Sequence, residues 1–144
     1  MMQNYLNMKI LSIPENVAFA RSTVGAFCAG ADPSVEELND VRTAVSEAVT
    51  NCIVHGYEGR KTEIIEITVK LLDEKAVIEI SDRGVGIPDI PKALEPFFTT
   101  KPNEERSGMG FTIMQTFTDD LKVTSENGET KVVLTKTFKN TKNA

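Results

Sequence analysis

The amino-acid sequence predicts an α+β fold, a two-layer sandwich in which helices cover one face of a single mixed, mostly antiparallel sheet. Apolar residues recur at four-residue spacing from Val41 to Ile53, which is typical of an amphipathic helix. Apolar and polar residues then alternate from Ile65 to Leu71, as in a half-buried strand. Asn127-Gly128 lies between two further alternating segments and is a strong hairpin signal.

The first part of the chain predicts one strand and two helices. Residues 6–13 alternate loosely enough to form a strand, and a proline opens a helix over residues 14–28. The long helix follows over residues 34–56. Ser34 and Glu37 form a capping box at its start, and a glycine ends it.

The second part predicts two hairpins around one helix. The expected elements are strands over 65–71 and 78–80 joined by a turn at 73–75, an irregular region over 82–110, a short helix over 111–117, and strands over 121–126 and 130–138. Because the hairpins would face the helices, one sheet with one helical layer results.

The composition indicates a single folded domain over residues 1–144. No apolar run is long enough to cross a membrane, and no secretory signal is evident. Cys28 and Cys52 fall in apolar helical patterns, so we expect buried thiols and a cytoplasmic protein. The net charge of -5 argues against direct nucleic-acid binding, so any action on transcription should run through protein contacts.

Glu47 and Asn51 stand four residues apart on the long helix, so their side chains lie side by side. Asn51 offers a neutral oxygen of the kind that Mg²⁺ accepts together with waters and phosphates. Glu47 can bind a metal-linked water or take a proton. Taken alone, such a pair is more often a solvated helix face.

A second candidate site begins where the central hairpin ends. Asp82 has the same strand parity as Ile78 and Ile80, and therefore points to their apolar face. A purine amino group would supply the donor that an inward carboxylate needs, and Gly84 and Gly86 would let the backbone approach the ring. The competing interpretation is a plain turn in which Asp82 caps local amides.

A third candidate is the stretch from Arg106 to Phe111, which leads from a polar loop into a helix. Permissive glycines at a helix amino terminus form a natural phosphate cradle, and Lys101 and Arg106 could add positive charge. The Walker loop, the dinucleotide-binding glycine motif and the protein kinase signatures are all missing from the sequence. Both common nucleotide folds are thereby excluded.

Four segments in order resemble the boxes of the GHKL ATPases, the Bergerat-fold superfamily of DNA gyrase B subunits, Hsp90 chaperones, sensor histidine kinases and MutL. They are Glu47 to Asn51, Asp82 to Gly86, Pro96 to Lys101 and Gly108 to Gly110. The resemblance implies a Bergerat ATP-binding fold. It implies that Asn51 ligates Mg²⁺, that Asp82 binds the adenine amino group of ATP or ADP, and that Thr130 assists there.

The same resemblance implies an ATP lid over residues 99–110. The residues that we expect to contact the nucleotide are Asn51, Asp82, Gly84, Gly86, Thr99, Thr100, Lys101, Ser107, Gly108, Met109, Gly110, Phe111 and Thr130. The adjacent Phe97 and Phe98 are expected to pack beneath the lid.

Within this superfamily, nearly the whole chain resembles the sporulation anti-sigma-F factors, serine kinases of endospore-forming bacteria. The most telling stretches are residues 45–51, 55–57, 98–102 and 105–114. The resemblance implies a homodimer that holds a sigma-F-type factor when ATP is bound and phosphorylates a serine on an anti-anti-sigma partner. The chain departs from the family at its ends and between residues 57 and 80, which leaves the detailed dimer surface open.

The resemblance also assigns individual roles. Arg21 matches the partner-contact arginine of the family, and Glu47 would accept the proton of the serine hydroxyl while Mg²⁺ on Asn51 bridges the phosphates. From its charge and lid position, Arg106 is expected to steady the γ-phosphate. His55 is expected to be structural, as a cation near a helix carboxyl end.

Two other functions fit the same four boxes. In one, ATP only stabilises a shape that grips the sigma factor, and little phosphoryl transfer occurs. In the other, the chain is the equivalent kinase of a stress-response partner-switching module. The presence of Glu47 favours a kinase over the first of these, while only the identity of the partner separates the second.

Overall fold

The computed structural model describes residues 1–96 and 109–139. In chain order the elements are β1 (Met2–Leu11), α1 (Glu15–Cys28), a 3-10 turn (Ala29–Ala31), α2 (Val35–Asn51), a π-helical turn (Cys52–Gly56), β2 (Ile64–Leu72), β3 (Lys75–Asp82), α3 (Ile90–Ala93), α4 (Gly110–Phe117), β4 (Asp120–Glu126) and β5 (Glu129–Thr137). The five strands form one sheet in the order β1-β2-β3-β5-β4. The predicted α+β fold is confirmed, and all the strand pairings in the described residues are antiparallel.

The helices cover one face of this sheet because apolar residues alternate with polar residues along the central strands β2 and β3. Ile65, Ile67 and Val69 of β2 are fully buried, and so are Ile78 and Ile80 of β3. The residues between them point to the opposite face, which is less buried. Burial of one apolar face against helices is the main stabilising contribution to this fold.

Helix α2 is the centre of the helical layer and packs against both α1 and α4. It buries Val41, Val45 and Val49, as the four-residue spacing predicts. The predicted capping box is present, since the Glu37 amide donates to the Ser34 hydroxyl at 3.0 Å and the Ser34 amide donates to Glu37 at 2.9 Å. The capping box fixes the residue at which α2 begins, and therefore which residues lie in its last turn.

An ion pair joins the helical layer to β5, the strand between β3 and β4 in the sheet. Lys136 Nζ of β5 lies 3.0 Å from Asp40 Oδ2 of α2. The same ammonium donates to the Phe117 carbonyl oxygen at the end of α4, at 3.1 Å. One partly buried cation thus holds both helices against β5.

The structure refines several predicted boundaries. β1 begins at Met2, before the predicted residue 6, because the extra residues pair with the end of β2 across an irregularity in the register. The α-helical part of the long helix ends at Asn51, and the chain continues to Gly56 as the π-helical turn. The short α3 lies within the region predicted to be irregular. In the described parts of the chain, no helix has the length and apolar character needed to span a membrane.

Candidate functional site

Asp82 ends β3 and faces the helical layer, as its strand parity predicts. Its side chain is buried, with 5% of its surface exposed. One carboxylate oxygen, Oδ1, accepts a hydrogen bond from the Gly84 amide at 2.9 Å. A carboxylate offers about four acceptor positions, so this bond leaves capacity for a further donor.

Two glycines allow the π-helical turn to contact the segment that follows Asp82, residues 83–89, here called the Asp82 loop. A Cβ atom at Gly56 would lie 2.7 Å from the carboxylate atoms of Asp82. A Cβ atom at Gly84 would lie 1.8 Å from the Gly56 carbonyl oxygen, far inside van der Waals contact. That same carbonyl oxygen accepts a hydrogen bond from the Val85 amide at 2.9 Å. The backbones therefore meet at a separation that no side chain permits.

Thr130 lies directly opposite Asp82, because the two residues pair between β5 and β3. The Thr130 hydroxyl is 2.9 Å from the Ser125 hydroxyl, which also accepts from the Ile87 amide at 2.8 Å. Gly86 lies between these anchor points with a φ of 82°, a left-handed conformation that favours glycine. The loop is thus held at both ends, by Gly56 and by Ser125.

The thiol of Cys52 lies close enough to the Asp82 carboxylate for the two groups to shift each other's pKa. Burial raises the pKa of Cys52 well above its usual value, and the negative charge of Asp82 raises it further, so the thiol stays protonated. Both cysteines are buried as predicted, and burial raises the pKa of Cys28 to about 12. The contact of Cys52 with Asp82 was not predicted.

Burial also raises the pKa of Asp82 above the ordinary value. The Gly84 amide and the Cys52 thiol lower it in part, while the nearby charge of Glu129 raises it. The Asp82 carboxylate therefore lies where burial disfavours its charge, and ionisable groups with such shifted pKa values are common at functional sites.

This elevated pKa predicts how Asp82 affects stability. A raised folded-state pKa contributes stability that is present below the unfolded pKa and lost as pH rises through the folded pKa. The free energy of unfolding of the wild-type chain, minus that of Asp82→Asn, should therefore fall as pH rises through the raised pKa of Asp82. Urea unfolding of both proteins across this range measures the difference. A difference that stays flat, or that increases with pH, would contradict the burial of a charged Asp82.

Glu47 and Asn51 lie one turn apart on α2, and both are half-buried. Asn51 directly precedes Cys52, whose thiol contacts Asp82, so the end of α2 lies beside the Asp82 loop. Mg²⁺ commonly takes few protein ligands and completes its shell with phosphates and waters. The described residues contain no group of three or more His, Cys, Asp or Glu side chains that could hold a metal. An amide oxygen with a neighbouring carboxylate fits a Mg²⁺ ion shared with a nucleotide.

Much of the predicted lid lies outside the described residues. This applies to Thr99, Thr100, Lys101, Arg106, Ser107 and Gly108, and also to Phe97 and Phe98. Of the remaining predicted contacts, Met109 is the N-cap of α4, and Gly110 and Phe111 form its first turn. Since α4 packs against α2, the amino terminus of α4 belongs to the same helical layer as Glu47 and Asn51.

Arg21 lies away from the site formed by Glu47, Asn51 and the Asp82 loop. Arg21 lies on the exposed side of α1, and none of the described contacts joins it to the Asp82 loop. His55 lies within the π-helical turn and is half-buried. Position alone is thus compatible with the partner-contact and structural roles predicted for these two residues.

Four residues of the site were missed as site residues by sequence reasoning: Cys52, Gly56, Tyr57 and Ser125. The Tyr57 hydroxyl accepts from the Arg83 amide at 2.8 Å and donates to the Ile64 carbonyl oxygen. Period and turn rules detect none of these contacts, because the contacts form between different elements of the fold. The glycine that ends the long helix indicated only a helix stop, and residues 55–57 stood out only in the family resemblance.

Comparison with known proteins places this geometry in a family. Residues 10–136 match the Histidine kinase-like ATPase domain. The chain is 52% identical over 139 residues to an anti-sigma F factor of Clostridium botulinum (strain Alaska E43 / Type E3), covering 96% of this chain and 97% of that one. It is 54% identical over 130 residues to an anti-sigma F factor of Caldanaerobacter subterraneus subsp. tengcongensis, covering 90% of each.

Solved structures share the fold at low sequence identity. The crystal structure of the RsbU and RsbW domains of Rv1364c from Mycobacterium tuberculosis matches with a TM-score of 0.69 and 17% identity, over 94% of this chain and 33% of that one. The blue-light activated histidine kinase EL346 of Erythrobacter litoralis matches with a TM-score of 0.59 and 20% identity, over 91% of this chain and 43% of that one. This chain thus spans less than half of either, and the likeness establishes the fold.

Proposed function

Because this chain belongs to the anti-sigma F factors, within the Histidine kinase-like ATPase domain family, we propose that it is an ATP-dependent protein serine kinase that also sequesters a sigma-F-type factor. Family membership itself indicates an anti-sigma role and nucleotide binding. The proposal adds serine specificity, Mg²⁺ and an anti-anti-sigma factor as substrate. We also propose that the chain acts as a homodimer in the cytoplasm, with Arg21 at the partner surface.

The buried carboxylate of Asp82 is the observation that supports nucleotide binding most directly. It faces inward opposite Thr130, has unused acceptor capacity, and lies in a cradle of close-packed glycines. Adenine offers the matching donor, its exocyclic amino group. Gly84 and Gly86 bring the backbone close to where the ring would lie.

Asn51 would hold Mg²⁺ through its side-chain oxygen, and the ion would neutralise charge on the phosphates. Glu47, one turn earlier on α2, would accept the proton of the substrate serine hydroxyl. The serine oxygen would then bond to the γ-phosphorus as the bond to the bridging oxygen breaks, and ADP would leave. We propose that the residues of the lid, with Lys101 and Arg106, close over the phosphates during this step.

Phosphoryl transfer can be tested directly with γ-labelled ATP, Mg²⁺ and a candidate anti-anti-sigma protein. We expect labelled phosphoserine on that protein. Labelling should fall by about 10²-fold or more in Asn51→Ala, because an ion that stabilises the transition state by several kcal/mol loses its protein ligand. Omission of Mg²⁺ should have the same effect in the wild-type chain.

Arg21→Glu provides a second variant for the same assay, since Arg21 is exposed on α1 and remote from the described site contacts. It should keep ATP affinity while losing both protein partners. Absence of labelling by the wild-type chain, despite confirmed ATP binding, would instead identify an ATP-dependent sequestering module. Labelling of a stress-response antagonist alone would assign the chain to that pathway.

A further inference from the structure

Tyr57 is buried at the exit of the π-helical turn, with 2% of its surface exposed. Its amide donates to the Cys52 carbonyl oxygen at 2.8 Å, which closes the turn. The Arg60 guanidinium lies over its ring, 5.9 Å from the centroid, and Arg60 Nε donates to the Tyr57 carbonyl oxygen at 3.0 Å. The backbone and ring of Tyr57 are therefore held by contacts that do not involve its hydroxyl.

The hydroxyl uses its donor and one acceptor position on the backbone. It accepts from the Arg83 amide at 2.8 Å and donates to the carbonyl oxygen of Ile64, at the start of β2. Burial raises the pKa of Tyr57, so the hydroxyl stays protonated and remains a donor. The Arg83 amide belongs to the peptide that directly follows Asp82. The hydroxyl thus links this peptide to the neighbouring strand.

Three consecutive backbone amides of the Asp82 loop donate hydrogen bonds to Asp82 or to residues at the end of the π-helical turn. Arg83 donates to the Tyr57 hydroxyl, Gly84 to the carboxylate of Asp82 itself, and Val85 to the Gly56 carbonyl oxygen. Two of these partners are adjacent residues at the end of the helix that carries Glu47 and Asn51. The end of this helix therefore sets the position of the loop.

We propose that Tyr57 is a positioning residue for adenine recognition, whose hydroxyl holds the Asp82–Arg83 peptide so that the carboxylate meets the exocyclic amino group. This inference rests on the proposed function, since it takes Asp82 to be the adenine contact. Loss of the hydroxyl would leave the Arg83 amide without its partner and release the peptide. The phosphate contacts proposed above involve other residues and would be kept.

The test compares ATP with purine riboside 5′-triphosphate, which lacks the amino group but keeps the ring and phosphates. In the wild-type chain, a charged hydrogen bond to the amino group should favour ATP by about 10- to 100-fold. Tyr57→Phe should lower this preference by about fivefold while affinity for purine riboside triphosphate changes little. Tyr5→Phe is the matched control, because Tyr5 is exposed on β1 and its hydroxyl has no described bond.

Asp82→Ala, which leaves no side-chain acceptor for the amino group, distinguishes failure of the inference from failure of the proposed function. If Asp82→Ala removes the preference and Tyr57→Phe leaves it intact, Tyr57 is only structural and the inference is overturned. If Asp82→Ala leaves the preference intact, the adenine assignment itself is wrong. Tyr57→Phe added to Asp82→Ala should have no further effect on the preference, since both act through the same carboxylate.

A measurement on the wild-type chain covers the case in which Tyr57→Phe does not fold. The Arg83 amide should exchange slowly with deuterium in the nucleotide-free protein, because its hydrogen-bond acceptor is a buried hydroxyl. Exchange of the Arg83 amide as fast as that of an unprotected loop amide would overturn the proposal.

Discussion

Glu47→Gln should slow phosphoryl transfer by about 10²- to 10⁴-fold while leaving the affinity for ATP unchanged, because glutamine keeps the shape of the side chain but accepts no proton. Rapid-quench measurement of labelled phosphoserine under single-turnover conditions reports the transfer step itself. The equilibrium affinity, measured with a fluorescent ATP analogue, reports binding. Sequestration of the sigma factor should be retained as well, because the substitution leaves the nucleotide in place.

Glu36→Gln is the control for this experiment. Glu36 lies on the same helix but is exposed in its first turn, far in sequence from Asn51. It should transfer phosphate at the wild-type rate. If Glu47→Gln also transfers at that rate, the base is another group or the serine needs no base, and the role given to Glu47 is wrong.

Gly84→Ala should destabilise the fold and abolish ATP binding. The added Cβ would lie 1.8 Å from the Gly56 carbonyl oxygen, which is backbone and can move only if the π-helical turn or the Asp82 loop shifts. Overpacking against rigid structure costs about 3 kcal/mol. This corresponds to a melting temperature lower by about 10 °C for a chain of this length. Calorimetry and equilibrium ATP binding together measure the two effects.

Gly30→Ala controls for the general effect of adding a methyl group to a glycine. A Cβ at Gly30 would meet nothing within 4 Å, and its φ is not left-handed. Its melting temperature and ATP affinity should stay close to wild type. If Gly84→Ala has the same melting temperature and ATP affinity as this control, the contact between Gly84 and Gly56 is not needed for the site to form.

The parts of the site that depend on local rules could be predicted from sequence. Strand parity alone directs Asp82 toward the helical layer, because alternation extends from Ile78 and Ile80 to the end of β3. Helical spacing places Glu47 and Asn51 side by side. The hairpin at Asn127-Gly128 has both residues in the left-handed region, as a two-residue turn requires.

The remaining parts depend on contacts between distant segments, which no local pattern encodes. Gly56 in the sequence indicates a helix stop, and its contact with Gly84 exists only once the π-helical turn lies against the loop. The bond between the Tyr57 hydroxyl and the Arg83 amide spans 26 residues. The length of β1 was underestimated because its first residues are exposed and show no alternation, while their pairing with β2 makes them a strand.

The π-helical turn also gives the segment from Cys52 to Gly56 a defined length. Its closing bond runs from the Tyr57 amide to the Cys52 carbonyl oxygen, one residue wider than an α-helical bond. Because this turn holds one residue more than an α-helical turn, winding the same residues as an α-helix would rotate Gly56 by about 100° around the helix axis. Gly56 would then no longer face Gly84. For protein engineering the segment is a spacer of fixed size, and a graft of this loop onto another helical scaffold has to carry the spacer with it.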